Sequence, residues 1–345
     1  MNRKTWLVRL TAFAAVAVLV VGAVGCGGGD DDAGGSEFSV GLVTDTAGPN
    51  DRGFNEFSIA GLEKAGEDLG VDTRVYVSAV EDDYLPNLTA AAEDGHDLVI
   101  GVGFLLLAQT NQVAQEFPDT MFAGVDHFYG GDGCEDAGTC EQPNLLGMQY
   151  PSEESGYLAG IVAALTTQSK TVSTVGGIKI PPVDNWIAGF QAGVAATDPS
   201  VKTLNAYSQD FVDQAKCKEI ALDQISQGSD IVFQVAGDCG LGAIDGACEA
   251  GKWAIGVDAD QSAQGDCVIT SGLKPLESSV FSVIESVVDG TFEGGTNVFF
   301  GIQDLPDADL LAPLSDDVGE GAQEAVDEAL EGLRSGEIDP PSTVE

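Results

Sequence analysis

Residues 38–55, FSVGLVTDTAGPNDRGFN, decide how the rest of the chain is read. Phe38, Val40, Leu42 and Val43 make a short apolar run of the kind that forms a strand. The chemistry then changes at once, because Thr44, Asp45, Thr46, Gly48, Pro49, Asn50 and Asp51 are turn formers. Phe54 and Asn55 follow, and the pattern predicts a helix over 56–69. A strand that ends in polar residues and feeds a helix is how open α/β sheets build ligand sites. Asp45 is therefore expected at the carboxyl end of the strand, and Phe54 and Asn55 near the start of the helix.

Downstream, the same alternation continues. Strands are expected at 72–78, 97–102, 121–125 and 144–149, with helices at 84–93 and 105–117. The run 97–102, DLVIGV, is apolar throughout, as a strand covered on both faces should be. A helix rich in small residues, 155–167, is too short to span a bilayer and reads as buried. The pattern then restarts, with strands at 171–176, 202–207, 231–235, 253–257 and 268–271 and helices at 184–197, 213–227 and 240–250. Residues 180–183 read as a loop. A helix at 276–289 and a strand at 297–300 are expected to return to the first half, and a last helix at 316–335 to cover the second. Repeated βαβ units predict an α/β protein. The expected fold has two lobes, each a mostly parallel sheet flanked by helices, hinged around a cleft. The lobes are 37–150 plus 275–303 and 151–274 plus 304–340.

The amino terminus reads differently. Arg3, Lys4 and Arg9 precede an apolar run at 10–21, and Ala23-Val24-Gly25-Cys26 supplies small residues before a cysteine. The run is short for a spanning helix. Residues 1–25 resemble a bacterial lipoprotein signal, with Cys26 the lipidated first residue of the mature protein. Residues 26–36 form a Gly- and Asp-rich tether. The expected location is the outer face of the cell membrane, held there by the lipid alone. A formal net charge of −42 excludes nucleic acid and anionic headgroups as partners. The acidic residues are spread along the chain, which describes a solvated coat rather than a binding patch.

Seven cysteines in an exported chain point to disulfides, and setting Cys26 aside leaves six. Cys134 and Cys140 flank a Gly-rich acidic loop and are expected to close it. Cys217 and Cys239 each lie near the start of an expected helix on one face of the sheet. Cys248 and Cys267 are placed on the opposite face. The expected pairs are Cys217–Cys239 and Cys248–Cys267.

Catalytic signatures are missing. The chain has no phosphate-binding loop, no nucleophile elbow and no H-E-x-x-H. Gly101-Val102-Gly103-Phe104 begins like a dinucleotide fingerprint and lacks its last glycine. Asp258-Ala259-Asp260 opens like a calcium loop but has Ala263 at the sixth place, where glycine is needed. Neither cofactor nor metal is expected. Of two histidines, His96 reads as a surface residue and His127 is a candidate for the cleft wall. Several strands end instead in carboxylates or Gly-rich turns: Asp45, Asp126, Gly237-Asp238 and Asp258. Such acceptors suit a ligand rich in hydroxyls or N–H donors. Phe54 and Trp186 come from different lobes and are placed to sandwich a flat ring.

Asp45 with Asn50-Asp51-Arg52-Gly53-Phe54-Asn55 resembles the opening signature of the basic membrane lipoprotein (BMP/PnrA-like) family. So do Gly189-Phe190-x-x-Gly193, Val235-Ala236-Gly237, Gly256-Val257-Asp258-x-Asp260-Gln261 and Thr270-Ser271-x-x-Lys274. The resemblance implies a type I periplasmic-binding fold and a substrate-binding protein of an ABC importer, not an enzyme. It also implies a nucleoside ligand, often a purine one, delivered to a permease and its ATPase. Carried over, Phe54 and Trp186 would stack on the base and Asp126 would accept from its edge. Asp45 and Asn55 would add polar contacts. Asp258 would hold the ribose hydroxyls, helped by the Gly237 backbone and Lys274. The protein is expected to act as a monomer. The alternatives are a receptor that senses a ligand for a membrane signalling partner, and a binding protein for another hydroxylated molecule such as a sugar.

Overall fold

The computed structural model describes residues 38–344. The expected signal, Cys26 and the whole tether lie outside the described residues. In chain order the first half comprises β1 (Ser39–Val43), α1 (Phe54–Leu69), β2 (Asp72–Tyr76), α2 (Tyr84–Glu93), β3 (Leu98–Val102), α3 (Leu107–Glu116), β4 (Met121–Val125), the short α4 (Cys134–Ala137) and β5 (Leu145–Gln149). Then come α5 (Ser152–Thr166), β6 (Thr171–Gly176), α6 (Pro181–Thr197), β7 (Lys202–Tyr207), α7 (Gln214–Ser226), β8 (Ile231–Val235), α8 (Gly237–Glu249), β9 (Trp253–Gly256) and β10 (Val268–Ser271). The chain ends with α9 (Leu276–Val288), β11 (Thr296–Phe299) and α10 (Ala322–Ser335).

Two parallel sheets result, ordered β11-β5-β4-β3-β1-β2 and β10-β9-β8-β6-β7. This is the expected two-lobed α/β architecture. The strand order reverses at β1 in one sheet and at β6 in the other, which opens a crevice at the strand carboxyl ends. Both faces of each sheet are covered. Val40, Leu42, Leu98 and Ile100 point to the layer of α1 and α9, whereas Val43 and Val99 join the core under α2 and α3. Ile231, Phe233 and Val235 meet α5 and α6, and Val232 faces α7 and α8. Period-two alternation between two apolar layers is why these strands read as unbroken hydrophobic runs.

The small-residue helix α5 owes its composition to α6. A Cβ at Gly156 would collide with the Trp186 carbonyl, and one at Gly160 with that of Phe190. The reverse holds for Gly189 against Glu153 and Gly193 against Tyr157. The two backbones touch through these four glycines, and methyl groups there would force the helices apart.

Several expected boundaries move for local reasons. Helix α1 starts at Phe54, two residues early, because Asp51 caps it: its carboxylate accepts from the N–H groups of Gly53 (3.1 Å), Asn55 (2.8 Å) and Glu56 (3.1 Å). Residues 181–183 are not a loop. Pro181 and Pro182 form the first turn of α6, where a missing N–H costs nothing. Residues 316–321 are turns that precede α10, which begins only after Gly321, at φ +79°.

Disulfides join Cys134 to Cys140, Cys217 to Cys239 and Cys248 to Cys267. The expected placement of the last two on opposite faces is corrected. Cys239 and Cys248 both belong to α8, and that single helix carries both bridges in one layer.

Candidate functional site

Between the lobes lies a cavity lined by residues of both, the setting in which small-molecule sites are commonly built. From the first lobe, Asp45, Asp51, Phe54, Gly103 and Asp126 line it; from the second, Trp186, Phe211, Gly237 and Asp258 do so, with Lys274 between.

The first wall is held by a buried polar knot. Asn55 is fully buried and is not on the cavity wall. Its Nδ2 donates to Asp45 Oδ1 (2.7 Å) and Asp51 Oδ2 (2.9 Å), and its Oδ1 accepts from the Asp45 N–H (3.2 Å). Asn55 therefore sets the carboxylates rather than meeting a ligand. Asp45 also accepts from the Ala47 N–H at 2.9 Å. Burial pushes Asp45 up to about 6; the Asn55 hydrogen bond opposes that and the neighbouring Asp51 adds to it. Gly103, at φ +108°, leaves room for Asp45: a Cβ there would come within 3.1 Å of Asp45 Oδ2.

His127 stands behind this wall rather than on it. It is fully buried, with Nε2 2.7 Å from the Gly103 carbonyl and Nδ1 2.6 Å from the Tyr129 hydroxyl. A carbonyl only accepts, so Nε2 carries the proton and Nδ1 accepts from Tyr129. Burial pulls His127 down to about 4, which keeps it neutral. His96 is half-buried against the Tyr76 hydroxyl (2.9 Å), not a free surface residue as expected.

On the second wall, Trp186 sits in the second turn of α6. It is 2% exposed and packs edge-to-face on Phe233, ring centroids 6.1 Å apart, and against Gly272. It is thus both core and cavity wall. Gly237 opens α8 at φ +55°. Asp258 follows β9 with φ +66°, and no hydrogen-bond partner for its carboxylate is found among the described residues. Burial pushes it up to about 7, against the pull of Lys274 and with the nearby Asp126 carboxylate adding to the rise.

Lys274 lies where the chain leaves β10 for the first lobe. Its Nζ donates to both oxygens of Asp126, at 3.0 and 2.8 Å, and none of its hydrogen bonds goes to Asp258. The faces of Phe54 (5.0 Å) and Tyr150 (5.1 Å) enclose the ammonium. The cavity so holds four carboxylates around one cation, a wall of acceptors asking for donors.

Some lining residues were not singled out in the sequence. Asp51 appeared only as a turn former and inside a signature, and Phe211 carried no signal. Gly103 did carry one, as half of an incomplete fingerprint; its meaning is close approach to Asp45.

Residues 38–305 match the family described as ABC transporter substrate-binding protein PnrA-like. The chain belongs to that family. It is a binding protein for a small solute, not an enzyme, and such proteins work with an ABC permease and its ATPase. This substrate-binding protein is 30% identical to the ABC transporter nucleoside-binding protein BmpA of Lactococcus lactis, covering 88% of this chain and 90% of that one. It is 32% identical to the CD4+ T-cell-stimulating antigen of Listeria innocua over 99% of both. The crystal structure of an ABC transporter solute-binding protein from Aeropyrum pernix superposes with a TM-score of 0.77 at 25% identity, covering 89% of this chain and 94% of that one. Among the described residues no helix is long and apolar enough to cross a membrane.

Proposed function

We propose that the protein is a lipid-anchored, extracytoplasmic nucleoside-binding protein, with purine nucleosides preferred, that acts as a monomer and hands its cargo to the permease. The single observation that carries this reading is the composition of one cavity. Two aromatic residues from opposite lobes, Phe54 and Trp186, line it together with Asp258, a buried carboxylate without a hydrogen-bond partner among the described residues. A flat base satisfies the rings, and a ribose diol gives one carboxylate two donors at once. The name of the Lactococcus relative supports the same ligand class. Closure brings together the bodies 37–150 with 275–303 and 151–274 with 304–340. Asp45 and Asp126 supply further acceptors, Asp126 while it remains paired with Lys274, and the Gly237 backbone borders the ligand.

Titration calorimetry against adenosine, guanosine, inosine, cytidine and uridine tests this directly. Binding of the purine members, at least tenfold tighter than the pyrimidine ones, is expected. No heat with any nucleoside, alongside a clear isotherm for a free hexose, would replace the ligand assignment with a sugar.

A further inference from the structure

Gln261 follows β9 by five residues and is 2% exposed. Its Oε1 accepts from Gln234 Nε2 at 2.7 Å and from the Val257 N–H at 3.2 Å. Two donors on that oxygen leave one orientation for the amide. Its Nε2 therefore points out of the second lobe, and it donates to the carbonyl of Arg52 in the first lobe at 3.2 Å. Gln234 is fully buried and is oriented in turn, because its Oε1 accepts from the Ala236 N–H at 3.0 Å. A side chain at position 240 would displace it, so the glycine there is required.

These bonds make a directed relay from the Ala236 N–H through Gln234 and Gln261 to the Arg52 carbonyl. It starts next to Gly237 and ends between Asp51 and Phe54, so it ties the two cavity walls together. Arg52 is held at φ +57°, a backbone conformation uncommon outside glycine. Its N–H donates to Glu56 Oε2 at 3.2 Å, while its carbonyl faces the other lobe. The chain passes between the lobes only after β5, β10 and β11; Arg52 is far in sequence from all three, and Gln261 belongs to the loop before β10. Nothing covalent keeps them together when the lobes separate.

We propose that Gln261 is a closure latch: its amide stabilises the closed form by bonding the Arg52 carbonyl, and Gln234 sets its orientation. It is a positioning residue that acts on the open–closed equilibrium and on ligand escape. The inference rests on the reading that the lobes close around a ligand, but not on which ligand that is. An ordinary neutral hydrogen bond is worth a factor of roughly five in such an equilibrium.

Hydrogen–deuterium exchange of the full chain, ligand-free and with saturating inosine, tests the latch. Gln261→Glu places an acceptor against the Arg52 carbonyl, and Gln261→Met removes the donor at similar volume. Gln264→Glu, with the same charge change three residues away, is the control. In both Gln261 variants, residues 47–53 and 236–240 are expected to exchange about fivefold faster, while β3 and β8 keep their protection. Inosine should leave about fivefold faster with its association rate unchanged. Gln264→Glu should match the natural protein. If both Gln261 variants exchange and release inosine as the natural protein does, or if β3 and β8 lose protection equally, the latch is overturned. If inosine does not bind at all, the nucleoside assignment falls, and exchange of the ligand-free protein alone decides the latch.

Discussion

The two lobes end comparable strands with the same three residues, Gly124-Val125-Asp126 at the end of β4 and Gly256-Val257-Asp258 at the end of β9. Both aspartates adopt a left-handed backbone, at φ +62° and +66°, and both are buried at the cavity. Their chemistry differs. Asp126 gives both oxygens to Lys274, and the Asp258 carboxylate has no hydrogen-bond partner among the described residues. Strand position aims a carboxylate at the cleft, but a single lysine on an interlobe crossing decides which one is neutralised. The other is left as the acceptor with free lone pairs, at the cost of being buried.

The largest effect expected from this contrast is on stability. Lys274→Met leaves Asp126 buried without its cation and should cost on the order of 3–5 kcal/mol in urea unfolding. The double variant Lys274→Met/Asp126→Asn should recover most of that loss. A single variant as stable as the natural protein would show that the pair is not what makes Asp126 tolerable.

Asp258→Asn should have the next largest effect, and in opposite directions on binding and stability. Loss of a charged acceptor should weaken purine nucleoside binding by about 2–3 kcal/mol in calorimetry. The empty protein should gain stability at pH 8. Burial raises the folded Asp258 to about 7, from an ordinary value of 3.8. Between those values the folded state holds a proton that the unfolded state has released. The stabilisation is therefore present at low pH and lost as pH rises through that window. The amide removes that penalty, read as a higher melting temperature at pH 8.

A smaller effect appears in the pH dependence of affinity. A ligand that donates hydroxyls requires ionised Asp258, so affinity should rise by up to about tenfold per pH unit towards 7 and level off above it. Asp45, raised to about 6 by burial, adds a second, lower step. In Asp258→Asn the step near 7 should vanish while the lower one persists. A flat profile in the natural protein would mean that Asp258 meets the ligand already neutral.

Much of this architecture was legible in the sequence because burial on both faces leaves a local record. Apolar runs such as 98–102 and turn formers after 43 identify strands and their ends without knowledge of the neighbours. The cavity-lining carboxylates at strand ends, Asp45, Asp126 and Asp258, were legible for the same reason. Asn55 was found but its work was not, since nothing local says that its amide turns inward to Asp45 and Asp51. The four glycines of α5 and α6 were noticed as small residues and as a signature, and only helix packing explains them.

The sequence by itself determined the two parallel sheets, the strand-end carboxylates and the two aromatic candidates, since alternation, turn chemistry and residue type are properties of short segments. Only the tertiary structure decided that Lys274 bonds Asp126 and not Asp258, and that Gln261 reaches Arg52. Those pairings join residues more than a hundred positions apart, and their energies depend on distance and burial, which chain folding alone creates.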